Sequence, residues 1–159
     1  AKLPGDKLLM RGNHDYWWSS ISKVRSILPE GMFALQNDFF PYRGQAICGT
    51  RGWVCPNANA FSADDNKIYN REAGRLELSL AAAKRIGCET ALAMFHYPPF
   101  NDKQEDNAFL QLLRAYGIRR CVYGHVHGVS NPFEGEIDGI QFSLVSCDYL
   151  GFSPLKILE

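Results

Sequence analysis

Apolar residues along this chain come in short runs, and most of the runs end in a turn rich in glycine or proline. Lys7-Leu8-Leu9-Met10 reads as a short strand leading straight into Gly12-Asn13-His14-Asp15. Trp17, Ile21, Val24 and Leu28 are spaced as one helical face, which predicts a helix over 16–28. Pro29 and Gly31 close it. Residues 33–54 carry apolar runs broken at Pro41, Gly44 and Gly49, so strands and turns are expected there. The clearest helix spans 66–86, with a stripe through Leu76, Leu80 and Ala83, a wetter side of Arg71, Glu72, Arg75 and Lys84, and Gly87 as its stop.

The second half alternates in the same way. Residues 91–95 form a buried strand that ends at His96-Tyr97-Pro98-Pro99. A helix follows over 106–116 and stops at Gly117. Cys121-Val122-Tyr123 is another short strand, ending at Gly124-His125-Val126-His127-Gly128. Asp138-Gly139 between two apolar stretches signals a hairpin, whose second strand continues over 143–147. A last strand is expected over 155–158. Strands and helices alternate early and hairpins dominate late. The class is therefore α/β (α+β), with sheets covered by helices and an antiparallel edge.

Composition narrows the options. At 159 residues the chain is expected to be a single domain over 1–159. Lys+Arg and Asp+Glu number 17 each, so no cationic field is available to hold a long polyanion. Strong nucleic-acid binding is not expected. A small phosphorylated substrate remains compatible, because a metal ion can supply positive charge locally. The five cysteines are odd in number and show no CxxC spacing, which argues against a disulfide framework and a cysteine zinc site. Most of them sit in apolar runs and read as small buried hydrophobes, in a reducing, cytoplasmic setting. No run is long enough to cross a membrane, and no signal segment opens the chain. The first residue is Ala rather than Met, which leaves room for an earlier natural start.

All four histidines, His14, His96, His125 and His127, lie in turns that follow strand-like runs. Loops at strand ends are held by a rigid scaffold yet open to ligand. In Gly124-His125-Val126-His127-Gly128 the flanking glycines let the backbone bend, so both imidazoles can reach one centre. The alternative is a polar loop with two exposed histidines. For Asn13-His14-Asp15 the alternative is a helix start capped by Asp15. For His96 it is a structural histidine beside a rigid proline turn. Asparagine oxygen and histidine nitrogen together suit Mn, Fe, Zn, Co or Ni better than Ca or Mg. Two divalent ions about 3.5–4 Å apart also need an anionic bridge, and these motifs contain no obvious bridging carboxylate.

Gly-Asn-His-Asp, then the His of Phe-His-Tyr-Pro-Pro, then Gly-His-Val-His-Gly, in that order, resembles the calcineurin-like metallophosphoesterase family over residues 8–158. The resemblance implies that Asn13, His96 and His125 ligate one metal ion and His127 a second. It implies His14 as the general acid, with Asp15 behind it. It implies two divalent metal ions, a water-dependent hydrolysis of a phosphate ester, and a sandwich of two mixed β-sheets flanked by helices. The substrate stays open among monoesters, diesters, nucleotides and phosphoproteins.

One departure matters. The family's Asp-x-His and Gly-Asp motifs precede Gly-Asn-His, and only eleven residues precede Gly12 here. Gly5-Asp6 lies too close to Asn13 for a crossover helix, so it reads as a turn. The expectation is an N-terminally truncated domain, a C-terminal part whose partner is the missing N-terminal segment of the same domain. Alone it would be a poor catalyst. The rival expectation is a non-catalytic or mononuclear metal-binding module. Arg51, Trp53, Tyr16, Trp17 and Trp18 are read either as pocket groups or as surface and core residues, and Asp148 as a residue behind the ligands.

Overall fold

The computed structural model describes residues 3–158. Two sheets form. Strands β1 (Lys7–Met10) and β2 (Met32–Leu35) pair in parallel, with Leu9 opposite Ala34. Helix α1 (Ile21–Ile27) makes the crossover between them. Trp18, Val24 and Ala34 form a small core with Leu9, Ile21 and Leu28 packed against it. Helix α1 starts later than its apolar spacing predicts. Ser20 is its cap, accepting the Lys23 N–H, and Asp15 is not. Asp15 is already engaged by Gly12 and Trp17, so residues 16–19 run outside the helix and Trp18 reaches the core from a turn.

The larger sheet has six strands: β3 (Phe40–Tyr42), β4 (Gln45–Thr50), β5 (Thr90–Phe95), β6 (Arg120–Tyr123), β7 (Gly135–Ile137) and β8 (Ile140–Leu144). Their order is β3-β4-β5-β6-β8-β7. The four central strands are parallel, and β3 and β7 add antiparallel edges at both sides. Helix α2 (Ala63–Arg85) packs on β4 and β5 and against α3 (Ala108–Ala115). Leu76, Leu80, Ala83, Phe109, Leu113, Phe95, Tyr123 and Phe142 fill the core between them. The expected mixture of helices and sheets is therefore present. The larger sheet is mixed, and the two-stranded one is parallel.

Local signals explain the boundaries. Ser62 and Asp65 make a reciprocal capping box at the start of α2, which sets that start three residues before the predicted 66. Asn107 caps α3 by accepting the N–H groups of Phe109 and Leu110. Asp138 (φ +52°) and Gly139 (φ +78°) make the two-residue hairpin turn. A side chain at Gly49 would place its Cβ 2.2 Å from the Met94 carbonyl oxygen, so only glycine lets β4 lie against β5 there. Strand β8 ends at Leu144, short of the predicted 147. The strand predicted over 155–158 does not form. That segment runs irregularly, and the Arg120 guanidinium donates to the Ile157 carbonyl at 2.9 Å.

The parallel register aligns strand ends. Thr50 lies opposite Phe95, Phe95 opposite Tyr123, and Tyr123 opposite Leu144. The residues that follow therefore meet along one edge. The His96 N–H donates to the Arg51 carbonyl (3.1 Å), and the Gly124 N–H donates to the His96 carbonyl (3.1 Å).

Candidate metal centre

His96 follows β5 directly, and its ring meets the loop that follows β1. Its Nε2 lies 2.7 Å from Asn13 Oδ1, across 83 residues of sequence. Gly12 makes that approach possible, since a Cβ there would sit 3.2 Å from His96 Cε1 and 3.3 Å from Asp15 Oδ2. The His125 ring centroid is 5.0 Å from that of His96. His125 has left-handed backbone (φ +69°), and the Val126 N–H donates to the Gly124 carbonyl at 2.8 Å. The sharp turn expected from the glycines is thus made at the histidine itself. Tyr97 stacks on His125 at 3.9 Å and on Trp53 at 4.9 Å, which holds the His125 ring in place.

Burial pulls the His96 imidazole down to about 4, with the neighbouring His125 adding to the effect and Asp15 opposing it. His125 is also lowered, by burial first and then by His127 and His14. Both rings are therefore neutral at neutral pH, with a lone pair available for a cation. The charge of His14 bears on both rings, although its own side chain is exposed and meets Tyr16 edge-on at 6.2 Å.

Asp15 ties the loop together. Its Oδ2 accepts the Gly12 N–H at 2.6 Å, and its Oδ1 accepts the Trp17 indole N–H at 2.9 Å. Its two oxygens thus serve Gly12 and Trp17. His127 is exposed, and its Nδ1 lies 2.8 Å from Asp148 Oδ1. Asp148 Oδ2 accepts the Gly128 N–H at 2.8 Å. The Gly128 N–H, and after it His127, hold the Asp148 carboxyl down to about 2.

The remaining candidates divide. Trp18 is core at 2% exposure, whereas Tyr16 and Trp17 are 83% and 54% exposed beside His14. Arg51 is committed to the buried Glu72 at 3.2 Å and lies over the Trp53 ring at 4.6 Å. Its backbone carbonyl meets the centre, and its charge adds to the lowering of His96. The one trio of His, Cys, Asp or Glu donors within 4.8 Å of one another among the described residues is His127, Cys147 and Asp148. The place of Cys147 beside His127 was missed by sequence reasoning. The available signal was a turn following a short apolar strand, the same signal that marks the histidines.

Asn13, His96 and His125 converge, with His14 and His127 electrostatically coupled to them. Neutral imidazoles from strand ends of the mixed sheet, and a carboxamide oxygen from the loop after β1 of the small sheet, are donors suited to a borderline divalent metal. Residues 2–129 match the calcineurin-like phosphoesterase family model, and the chain belongs to this family. The family implies a hydrolase acting on phosphate esters with divalent metals. Neither the curated proteins nor the solved structures gave a match. Among the described residues, no helix is long and apolar enough to cross a membrane.

Proposed function

We propose that this chain hydrolyses a small phosphate ester with two divalent metal ions, Asn13, His96 and His125 holding one and His127 the other. The observation that carries this reading is the 2.7 Å approach of Asn13 Oδ1 to His96 Nε2, beside a second neutral imidazole at 5.0 Å. Two lone-pair donors facing each other so closely share a proton in the metal-free protein and fit a cation in its place. Bound divalent ions supply the positive charge that accepts a phosphoryl group and acidifies a water.

The chain's own residues do the rest. The hydrogen bonds of Asp15 fix the loop that carries Asn13 and His14. Tyr97 orients His125. As a water oxygen bonds to phosphorus and the ester bond breaks, His14, exposed at the rim, protonates the departing ester oxygen. The leaving group then departs as a neutral alcohol. Mn, Fe, Zn, Co and Ni match the donor set. In this reading the chain supplies part of the centre, and the bridging carboxylate comes from outside the described residues. Five free cysteines fit a reducing, cytoplasmic setting.

A mononuclear reading has one observation in its favour. Asn13, His96 and His125 form a set of their own, and among the described residues no carboxylate joins His96 and His125 in a trio of donor atoms within 4.8 Å. Metal stoichiometry separates the two. A protein that supplies the bridging carboxylate together with these residues is expected to release phenolate from an aryl phosphate ester with added Mn²⁺, to lose that activity to a chelator, and to bind two ions. One ion per chain selects the mononuclear reading. Unchanged metal binding and turnover in N13A and H96A would sink both.

A further inference from the structure

We propose that Asp148 is a positioning residue for His127, gripping the imidazole at Nδ1 so that Nε2 is left to the metal; this deepens the reading above and rests on it. Asp148 stands 21 residues after His127, in the turn beyond β8 and outside the span that matches the family. Both of its oxygens act on one loop. Oδ1 meets the His127 ring at 2.8 Å, and Oδ2 takes the N–H of the very next residue, Gly128, at 2.8 Å. A grip on ring and backbone together fixes both the side-chain torsions and the loop beneath them.

The chemistry follows from what a carboxylate can do. An ionised carboxylate only accepts hydrogen bonds, so Nδ1 of a neutral His127 must carry the proton. The lone pair then sits on Nε2, at the far side of the ring. His127 needs such help more than its neighbours. His96 is packed against the Asn13 loop, and His125 is stacked on Tyr97 at 3.9 Å. The His127 side chain is 61% exposed, and among the described residues its ring has no hydrogen-bond partner other than Asp148. Without Asp148 the ring would rotate freely, and the other tautomer would be as accessible.

Cys147 offers a competing arrangement. Its thiol joins His127 and Asp148 within 4.8 Å, so all three side chains could ligate a cation directly. The two arrangements differ in what faces the metal: Nε2 in one, and Asp148 oxygen with Cys147 sulfur in the other.

The test uses the full chain and Co²⁺ alone, titrated by absorbance and calorimetry, in wild type, D148A, D148N, C147S, H127A and H127A/D148A. D148A should weaken the His127-dependent binding event by about 10–100-fold and leave the other event unchanged. In the H127A background D148A should add nothing. D148N keeps an oxygen for only one of the two N–H groups, so it should fall between D148A and wild type. It also keeps the test open if D148A folds poorly. Proton–nitrogen spectra of the metal-free chain at mildly alkaline pH should show His127 with its proton on Nδ1, and D148A should move it toward Nε2. An equal loss from D148A in the presence and absence of His127 overturns the proposal, because Asp148 would then act through the loop alone. A thiolate-to-cobalt charge-transfer band that disappears in C147S overturns it in favour of direct ligation. If D148A is neutral while H127A weakens binding, this proposal fails and the metal reading stands. If H127A leaves binding unchanged, His127 is no ligand and the metal reading of that residue fails with it.

Discussion

His14 stands beside the donors, open to solvent and coupled to His96 and His125 through charge. In the proposed reaction, a residue so placed would give a proton without holding a metal. H14A is therefore expected to lower kcat by about 10²–10⁴-fold on an ester with a poor leaving group, and far less on one that departs unprotonated. Metal affinity should be preserved, and equal losses on both esters would remove His14 from the acid role. His96 makes a second prediction. Its ordinary value of 6.5 falls to about 4 in the folded chain, chiefly through burial. Between those values the unfolded chain holds the extra proton, so stability rises with pH across the window. The contribution of His96 is complete above about 6.5 and is lost as pH falls toward about 4. Metal-free H96Q should show a shallower fall in Tm than wild type over that window, and parallel curves would contradict the assignment. At this scale the sequence picked out the histidines and Asn13, because glycine and proline punctuate the turns that carry them. The partner of Asp148 was not readable, because a hydrogen bond across 21 residues leaves no local pattern.

Helix α2 shows how an element serves a site it does not touch. Periodicity places Glu72 on the wetter side with Arg71 and Arg75, yet the structure buries it completely. Thr50 donates to it at 2.8 Å, Arg51 at 3.2 Å and Arg75 at 2.8 Å. Arg51 in turn accepts the backbone N–H groups of His96 and Tyr97, so α2 steadies the strand ends through two intermediaries. E72A would leave the Arg51 guanidinium buried without its partner, a loss of about 3–5 kcal/mol. Urea unfolding measures it, and a change under 1 kcal/mol, roughly the worth of an exposed pair, would mean that water replaces the carboxylate. The apolar stripes of α2 and α3 were legible, since each repeats within its own helix. The start of α1 was not, because the choice between Asp15 and Ser20 as cap depends on what Gly12 and Trp17 take from Asp15.

For the whole molecule the weak point is the small sheet. Strand β1 pairs only with β2 among the described residues, and a parallel pair is normally covered on both faces. All four residues of β1 are half-buried, and Phe33 on β2 is exposed. A cavity of about 530 Å³ opens beside them, lined by Leu8, Leu28, Phe33, Leu35 and Phe40. An unpaired edge of this kind templates further strand pairing. The chain is therefore expected to gain mass with concentration in light scattering, and L8K should reduce that gain. A constant mass of one chain at every concentration would refute the open-edge prediction.

Sequence alone determined the alternation of strands and helices and the hairpin at Asp138-Gly139, and it marked the turns that hold the histidines. These are local properties: hydrophobic period, cap and turn residues act within a few positions of one another. Only the tertiary structure brought Asn13 against His96, turned the backbone at His125, buried Glu72 and joined Asp148 to His127. Asn13, after a strand of the other sheet, and Glu72, on α2, arrive by packing of separate elements, whereas the histidines of the larger sheet arrive by register. Parallel strands about 4.8 Å apart end on one edge, so residues far apart in the chain become neighbours only once β4, β5, β6 and β8 are aligned.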